Sequence, residues 1–266
     1  MRNGLTLVLF VISMFPQTSS RAQQPLSQSP TAPSTADVAL ATEHFPDRDN
    51  VRIVCWSIRE DIGPVSEIVV FETDAEGRAW PLWHSAIDIS YSPKIRFLPG
   101  ATLHGLAVAL VERQNGAASS ELDVIGKFNG HIARLQRFEG SEFDIQPIQG
   151  ATLPFLIVHN DVDVLDVPEI YRWNSVRFVR DSAAHPDFYR QILAEDRKTL
   201  PLDSAAIVLI NLARIAVLAS DQAAARQILE GARSSELSKG ALANAETLRL
   251  VSQALGAILV KEHRVP

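Results

Sequence analysis

Histidine, cysteine and paired carboxylates are the residues here whose types could do chemistry. The seven histidines are His44, His84, His104, His131, His159, His185 and His263. An imidazole changes charge near neutral pH and readily binds transition metals. None of them makes the His-Glu-x-x-His spacing that sets two rings on one helix face for zinc. A Gly-x-Ser-x-Gly nucleophile elbow and a phosphate-cradling glycine loop are also missing. His159 stands beside Asn160 and Asp161 at a predicted strand end, where it can join a polar site. An isolated strand-end histidine is more often a surface residue, because a metal site needs several converging ligands. Glu60-Asp61 and Glu121-Asp123 are carboxylate pairs. Neighbours in a strand point to opposite faces, so neither pair is read as an acid/base dyad.

Cys55 is the single cysteine. It lies in the strand-like run Val51–Trp56 with no histidine close in sequence, which predicts a small buried hydrophobe rather than a reactive thiol. No internal disulfide is available to the chain. Trp80, Trp83, Trp173 and Tyr171 could form an aromatic surface for carbohydrate or peptide, but core packing is the expected use, given the area each ring buries.

The start of the chain reads as an export signal. Arg2 supplies a positive end, Leu5 to Phe15 an apolar stretch, and Ser20-Arg21-Ala22 the small residues of a cleavage site, with cleavage expected after Ala22. The apolar run is too short for a membrane span, which takes about 20 residues. Residues 23–46, rich in Gln, Ser, Pro and Thr, are expected to form a disordered linker. Loss of Arg2 and Arg21 takes the 25 basic residues to 23 against 31 acidic ones, a net charge of −8. That balance excludes a nucleic-acid partner, which demands a basic face.

From 47 to 182, short apolar runs alternate with turn residues, as in antiparallel hairpins. The runs include Ile68–Phe71, Leu106–Val111 and Phe155–Val158. Asn129-Gly130 is the sharpest turn signal, because a two-residue hairpin needs positive φ at both positions. The region also repeats at about 50 residues. Gly100-Ala101-Thr102-Leu103 recurs as Gly150-Ala151-Thr152-Leu153, Leu106 and Val108 match Leu156 and Val158, and Ile125–Gly130 matches Ile170–Ser175 at an offset of 45. Ile68–Trp83 reads as a third, degraded copy. Four copies are not found, which predicts a propeller-like or sandwich-like β unit rather than a full propeller.

Asp161-Val162-Asp163-Val164-Leu165-Asp166-Val167-Pro168-Glu169-Ile170 resembles an FG-GAP-type repeat, on Asp161, Asp163, Pro168, Glu169 and Ile170. Val164 and Asp166 stand where that family has glycines, and Leu165 where it has a third acidic residue. The resemblance implies an extracellular β repeat and calcium as the one cofactor, held by Asp161, Asp163 and Asp166.

Beyond Asp181 the period becomes helical. His185-Pro186 predicts a helix start, Ala205–Ala219 a buried helix, Asp221 the N-cap of the next, and Gly231 or Ser234-Ser235 its end. A last helix is expected from about Gly240. Leu212, Ala213, Ala216, Ala225, Leu229 and Ala232 resemble the helix-pair packing positions of a tetratricopeptide repeat, with Ala216 in place of its aromatic and Leu237 in place of its proline. The resemblance implies a helical hairpin module that presents a face to a peptide.

The sequence therefore predicts an α+β protein. A signal peptide (1–22) and linker (23–46) precede a β domain (47–182) and an α-helical module (183–266). The expected role is an exported, periplasmic or extracellular module that binds a protein or peptide partner in the bacterial envelope, with no catalytic residue assigned and no membrane span after cleavage. The alternatives are a secreted hydrolase whose site assembles from distant residues, and a calcium-stabilised β module.

Overall fold

The computed structural model describes residues 38–60, 63–85, 88–89, 91–115, 119–147, 153–160, 165–200, 205–239 and 244–262. The predicted signal peptide, Asp161, Asp163, His263 and most of the repeated tetrapeptide Gly150–Leu153 lie outside them. The fold is α+β: antiparallel sheets followed by helices, with no closed barrel.

Three meanders follow one another along the chain. The first sheet holds β1 (Val38–Phe45), β2 (Arg48–Glu60), β3 (Gly63–Thr73) and β4 (Ala79–His84), with the two-residue β5 (Asp88–Ile89) beside β3. The second holds β6 (Tyr91–Leu103), β7 (Leu106–Gln114), β8 (Ser120–Phe128) and β9 (His131–Gly140). The third holds β10 (Glu142–Gln146), β11 (Phe155–His159), β12 (Glu169–Trp173) and β13 (Phe178–Arg180). A 3₁₀ turn at Ser182–Ala184 leads to α1 (Pro186–Thr199), α2 (Ala206–Leu218), α3 (Gln222–Ser238) and α4 (Ala245–Glu262).

Strand alternation makes this a stack, because each sheet has two apolar faces to bury. Ile53, Cys55, Ile68 and Val70 of the first sheet share a core with Ala109, Val111 and Ile125 of the second. Val108, Leu110, Leu122 and Val124 of the second share one with Leu156, Val158, Trp173 and Phe178 of the third. The remaining face of the third sheet, Phe155, Ile157 and Ile170, is covered by the helices through Tyr189, Leu193, Leu209, Leu212 and Leu229. Between sheet and helices runs the segment 165–168, tied to α1 by Tyr189 Oη donating to the Pro168 carbonyl at 2.8 Å and to α2 by Asn211 Nδ2 donating to the Leu165 carbonyl at 3.2 Å.

Several expectations change here. Strand β1 takes eight residues near the end of the stretch expected to be linker, Val38–Phe45 pairing with β2 from Ser57 to Arg48. The stretch as a whole is polar, but Ala41 and Phe45 reach the first core. The 50-residue sequence match finds strands in the right order, and Leu106 and Leu156 both face the preceding layer, but other matched pairs face opposite ways. Val108 faces the third sheet and Val158 faces the second, so they meet across one core instead of pointing the same way along the stack. A one-residue slip turns every side chain to the other face. The truer correspondence is Ile68 with Ile170, both on third strands and both facing the next layer. The Ile68 N–H donates to Ser85 Oγ and the Ile170 N–H to Ser182 Oγ, each at 3.0 Å.

The Asn129-Gly130 hairpin is as expected, with φ of 51° and 84°. Asp221 caps α3 by accepting from the Ala224 N–H at 2.9 Å. Helix α3 runs on past Gly231 and Ser234-Ser235 to Ser238. Burial of Leu229, Ala232 and Glu236 outweighs the roughly 1 kcal/mol that an interior glycine costs.

Candidate functional site

Two concave sites form on the helix-facing side of the molecule. The first is a groove. Ile210, Ala213, Arg214, Val217 and Leu218 recur along α2 at helical spacing and make one stripe. Leu229 of α3 and Ala254 and Ala257 of α4 complete the trough, a cavity of about 270 Å³ with Arg180 of β13 at its mouth. Helix α2 is apolar almost all round because it is the central helix, packed on α1, α3 and α4 at once. The small side chains of Ala213, Ala254 and Ala257 leave the trough open. Among the described residues its charged lining groups are Arg180 and Arg214.

A second cavity of about 550 Å³ adjoins it, lined by the 3₁₀ turn and sharing Arg180 and Leu218. Asp181 is the carboxylate here, engaged by His185 Nε2 at 3.2 Å and Arg172 Nε at 3.4 Å. Arg180 reaches Glu169 at 2.7 Å with its side chain 55% exposed. Glu169 also accepts from the Tyr171 hydroxyl, and burial together with that carboxylate pushes the Tyr171 phenol well above its ordinary range.

The second site is built around His159 at the end of β11. Its Nδ1 pairs with Asp166, whose other oxygen accepts the Asn160 N–H at 2.9 Å. Its Nε2 has Asp144 at 3.6 Å and no hydrogen-bond partner among the described residues. The hydrogen bond that His159 donates to Asp166 is the main cause that raises the His159 pKa above 6.5, with Asp144 and Glu142 adding to it. A cavity of about 320 Å³ lies alongside, walled by Ile157, Leu165, Pro168, Phe188 and Ile192, with Asp196 of α1 on its rim. Burial, then the charges of Glu195 and Asp166, raises the Asp196 carboxyl pKa.

Of the residues predicted to hold calcium, Asp166 is thus engaged by His159 and Asn160, while Asp161 and Asp163 are outside the described residues. Among the described residues no three metal-ligating side chains converge. His159 is not the isolated surface residue the sequence suggested: a hydrogen bond to a residue seven positions on gives it a polar site. Cys55 is buried in the first core, and burial pushes its thiol up, as expected of an inert cysteine. Glu121 and Asp123, two residues apart, lie on the same face, because the strand period is two. They share Arg137 and Arg113 rather than facing apart. Glu60 and Asp61 have no described side chains. Of the aromatic residues, Trp173 is buried, Trp83 packs against the first core and Tyr171 stacks edge-on with Phe138, while Trp80 is exposed beneath the Arg78 guanidinium.

No described helix is long and apolar enough to cross a membrane. No family model matches the chain, and neither does any curated protein or solved structure.

Proposed function

We propose that this chain is an exported interaction module of the bacterial envelope whose helical groove receives a polypeptide partner. The observation that carries this reading is the α2 stripe Ile210–Leu218, which the described residues leave open between α3 and α4 as an apolar trough with arginines at its mouth. Burial of Leu212, Ala213, Ala216, Ala225, Leu229 and Ala232 supports it, because those positions are the ones that resemble tetratricopeptide packing residues. Helix pairs of that kind present concave faces to peptides. The test is cross-linking of the chain in envelope extract beside an Ala257→Trp variant, whose indole fills the trough from an exposed position. Capture by the parent that the variant loses is the expected result. Equal capture by both sinks the reading.

The rival reading, a hydrolase with a site assembled from distant residues, is favoured by one observation. Asp166 orients His159 through Nδ1 and leaves Nε2 beside a cavity, the arrangement of a general base and its orienting carboxylate. Asp196, its pKa raised by burial, would supply the acid. A panel of chromogenic esters and amides decides it: turnover that survives His159→Gln unchanged removes this site from consideration.

A further inference from the structure

We infer that the groove takes an extended segment of a partner polypeptide in which apolar residues are followed by an acidic side chain that pairs with Arg180. This rests on the reading of the groove as a docking place. Three observations fix the occupant. The trough and the adjoining cavity share Arg180 and Leu218, so the path runs from α4, across Arg180, to the 3₁₀ turn at Ser182–Ala184. Two adjoining cavities of about 270 and 550 Å³ have room for several residues of extended chain. Its two ends differ in character: alanines, Val217 and Leu229 on one side, and Asp181, Ser182 and two alanines on the other.

Charge then sets the middle. The whole chain carries a net charge of −6, yet among the described residues the charged groups lining the trough are Arg180 and Arg214. Arg214 is exposed, with Asn211 Oδ1 at 3.5 Å. Arg180 gives one edge of its guanidinium to Glu169 and stays half exposed, and a planar fork of five donors can serve a second carboxylate. Because Arg180 sits where the two cavities join, a chain terminus there would leave the second one empty. The carboxylate is therefore a side chain of a segment that continues past it. The acidic surroundings repel acidic chains in general, so recognition needs the apolar residues as well.

The experiment uses the full chain and fluorescently labelled Ala-Leu-Val-Ala-Glu-Ser-Gly, blocked at both ends, read by anisotropy. Its partners are the same peptide with Gln for Glu, and Ala-Leu-Val-Ala ending in a free carboxylate. The Glu peptide is expected to bind about tenfold tighter than the Gln peptide, as one charge-assisted pair allows. Arg180→Gln should make the two bind alike, and Arg214→Gln should narrow the gap, with circular dichroism confirming that each variant is folded. Equal binding of Glu and Gln peptides by the parent overturns the inference and leaves the docking reading intact. So does tighter binding of the chain-end carboxylate, or discrimination that survives Arg180→Gln. Failure of every peptide to bind overturns both.

Discussion

Arg113 on β7 and Asp123 on β8 meet at 2.8 Å with both side chains fully buried between the first and second sheets. Asp123 also takes Arg137 Nε at 2.9 Å and Arg134 at 3.4 Å, and Glu121 joins Arg137 at 2.9 Å. Removing one member of a buried pair leaves the other charge without compensation, which costs about 3–5 kcal/mol. Asp123→Leu is expected to lose that much in urea unfolding. The double variant Arg113→Met/Asp123→Leu should regain most of it, because an apolar pair of similar volume avoids the desolvation cost. A double variant as unstable as the single one would show that Arg134 and Arg137, not Arg113, carry the dependence on Asp123.

The helices are expected to be necessary to the sheets. Phe155, Ile157 and Ile170 owe their burial to α1, α2 and α3. A chain ended after residue 185 should therefore bind a hydrophobic dye and self-associate on size exclusion. Within the full chain, Leu229→Ala should cost about 2–5 kcal/mol, the range for a large side chain lost from a packed core. A monodisperse truncated chain that ignores the dye would mean the third sheet has another way to cover that face.

What was legible in the sequence was local. Period two gave strands, the Asn129-Gly130 pair gave its turn, and the Ala205–Ala219 run gave a central helix. Facing could not be read so well. The match of Val108 with Val158 scores on identity, and a strand's two faces look alike when both are apolar, as in a stack of sheets. The Ile68–Ser85 and Ile170–Ser182 bonds, alike on the third strands of the first and third sheets, link residues 17 and 12 positions apart and leave no spacing signal. The His159 site was half visible. Asp166 was noticed as a carboxylate, but a ligand pattern does not say which neighbour will claim its oxygens. The helix-pair spacing names Ala213 and Leu229 of the groove but not Ile210, Arg214 or Val217, and Arg180 comes from a strand that no helical pattern includes.

Stability should fall as pH rises through the titration of His159. Its pKa in the folded chain is raised above 6.5, chiefly by Asp166. A raised histidine stabilises fully below 6.5, and that contribution is lost as pH climbs through the folded value. Among the described residues the charged groups acting on it are acidic, Asp166 with Asp144 and Glu142 on β10, and Asp196 of α1 lines the same cavity. Melting temperature followed from pH 6 upward should therefore decline more steeply for the parent than for His159→Gln. Parallel curves for the two proteins would show that the imidazole does not bind its proton more tightly on folding.

Calcium is expected to leave the melting temperature unchanged. A calcium site needs several oxygens converging on one ion. Asp166, one of the three carboxylates the FG-GAP resemblance supplies, already gives one oxygen to the Asn160 N–H at 2.9 Å and the other to His159. An ion there would compete with both bonds for the carboxylate's charge. Calorimetric melts in excess calcium and in EDTA should superimpose. Asp166→Ala should lower stability by about 1–3 kcal/mol in either buffer, because it leaves partly buried donors without their acceptor. A calcium-dependent increment present in the parent and absent from Asp166→Ala would restore the metal to this loop.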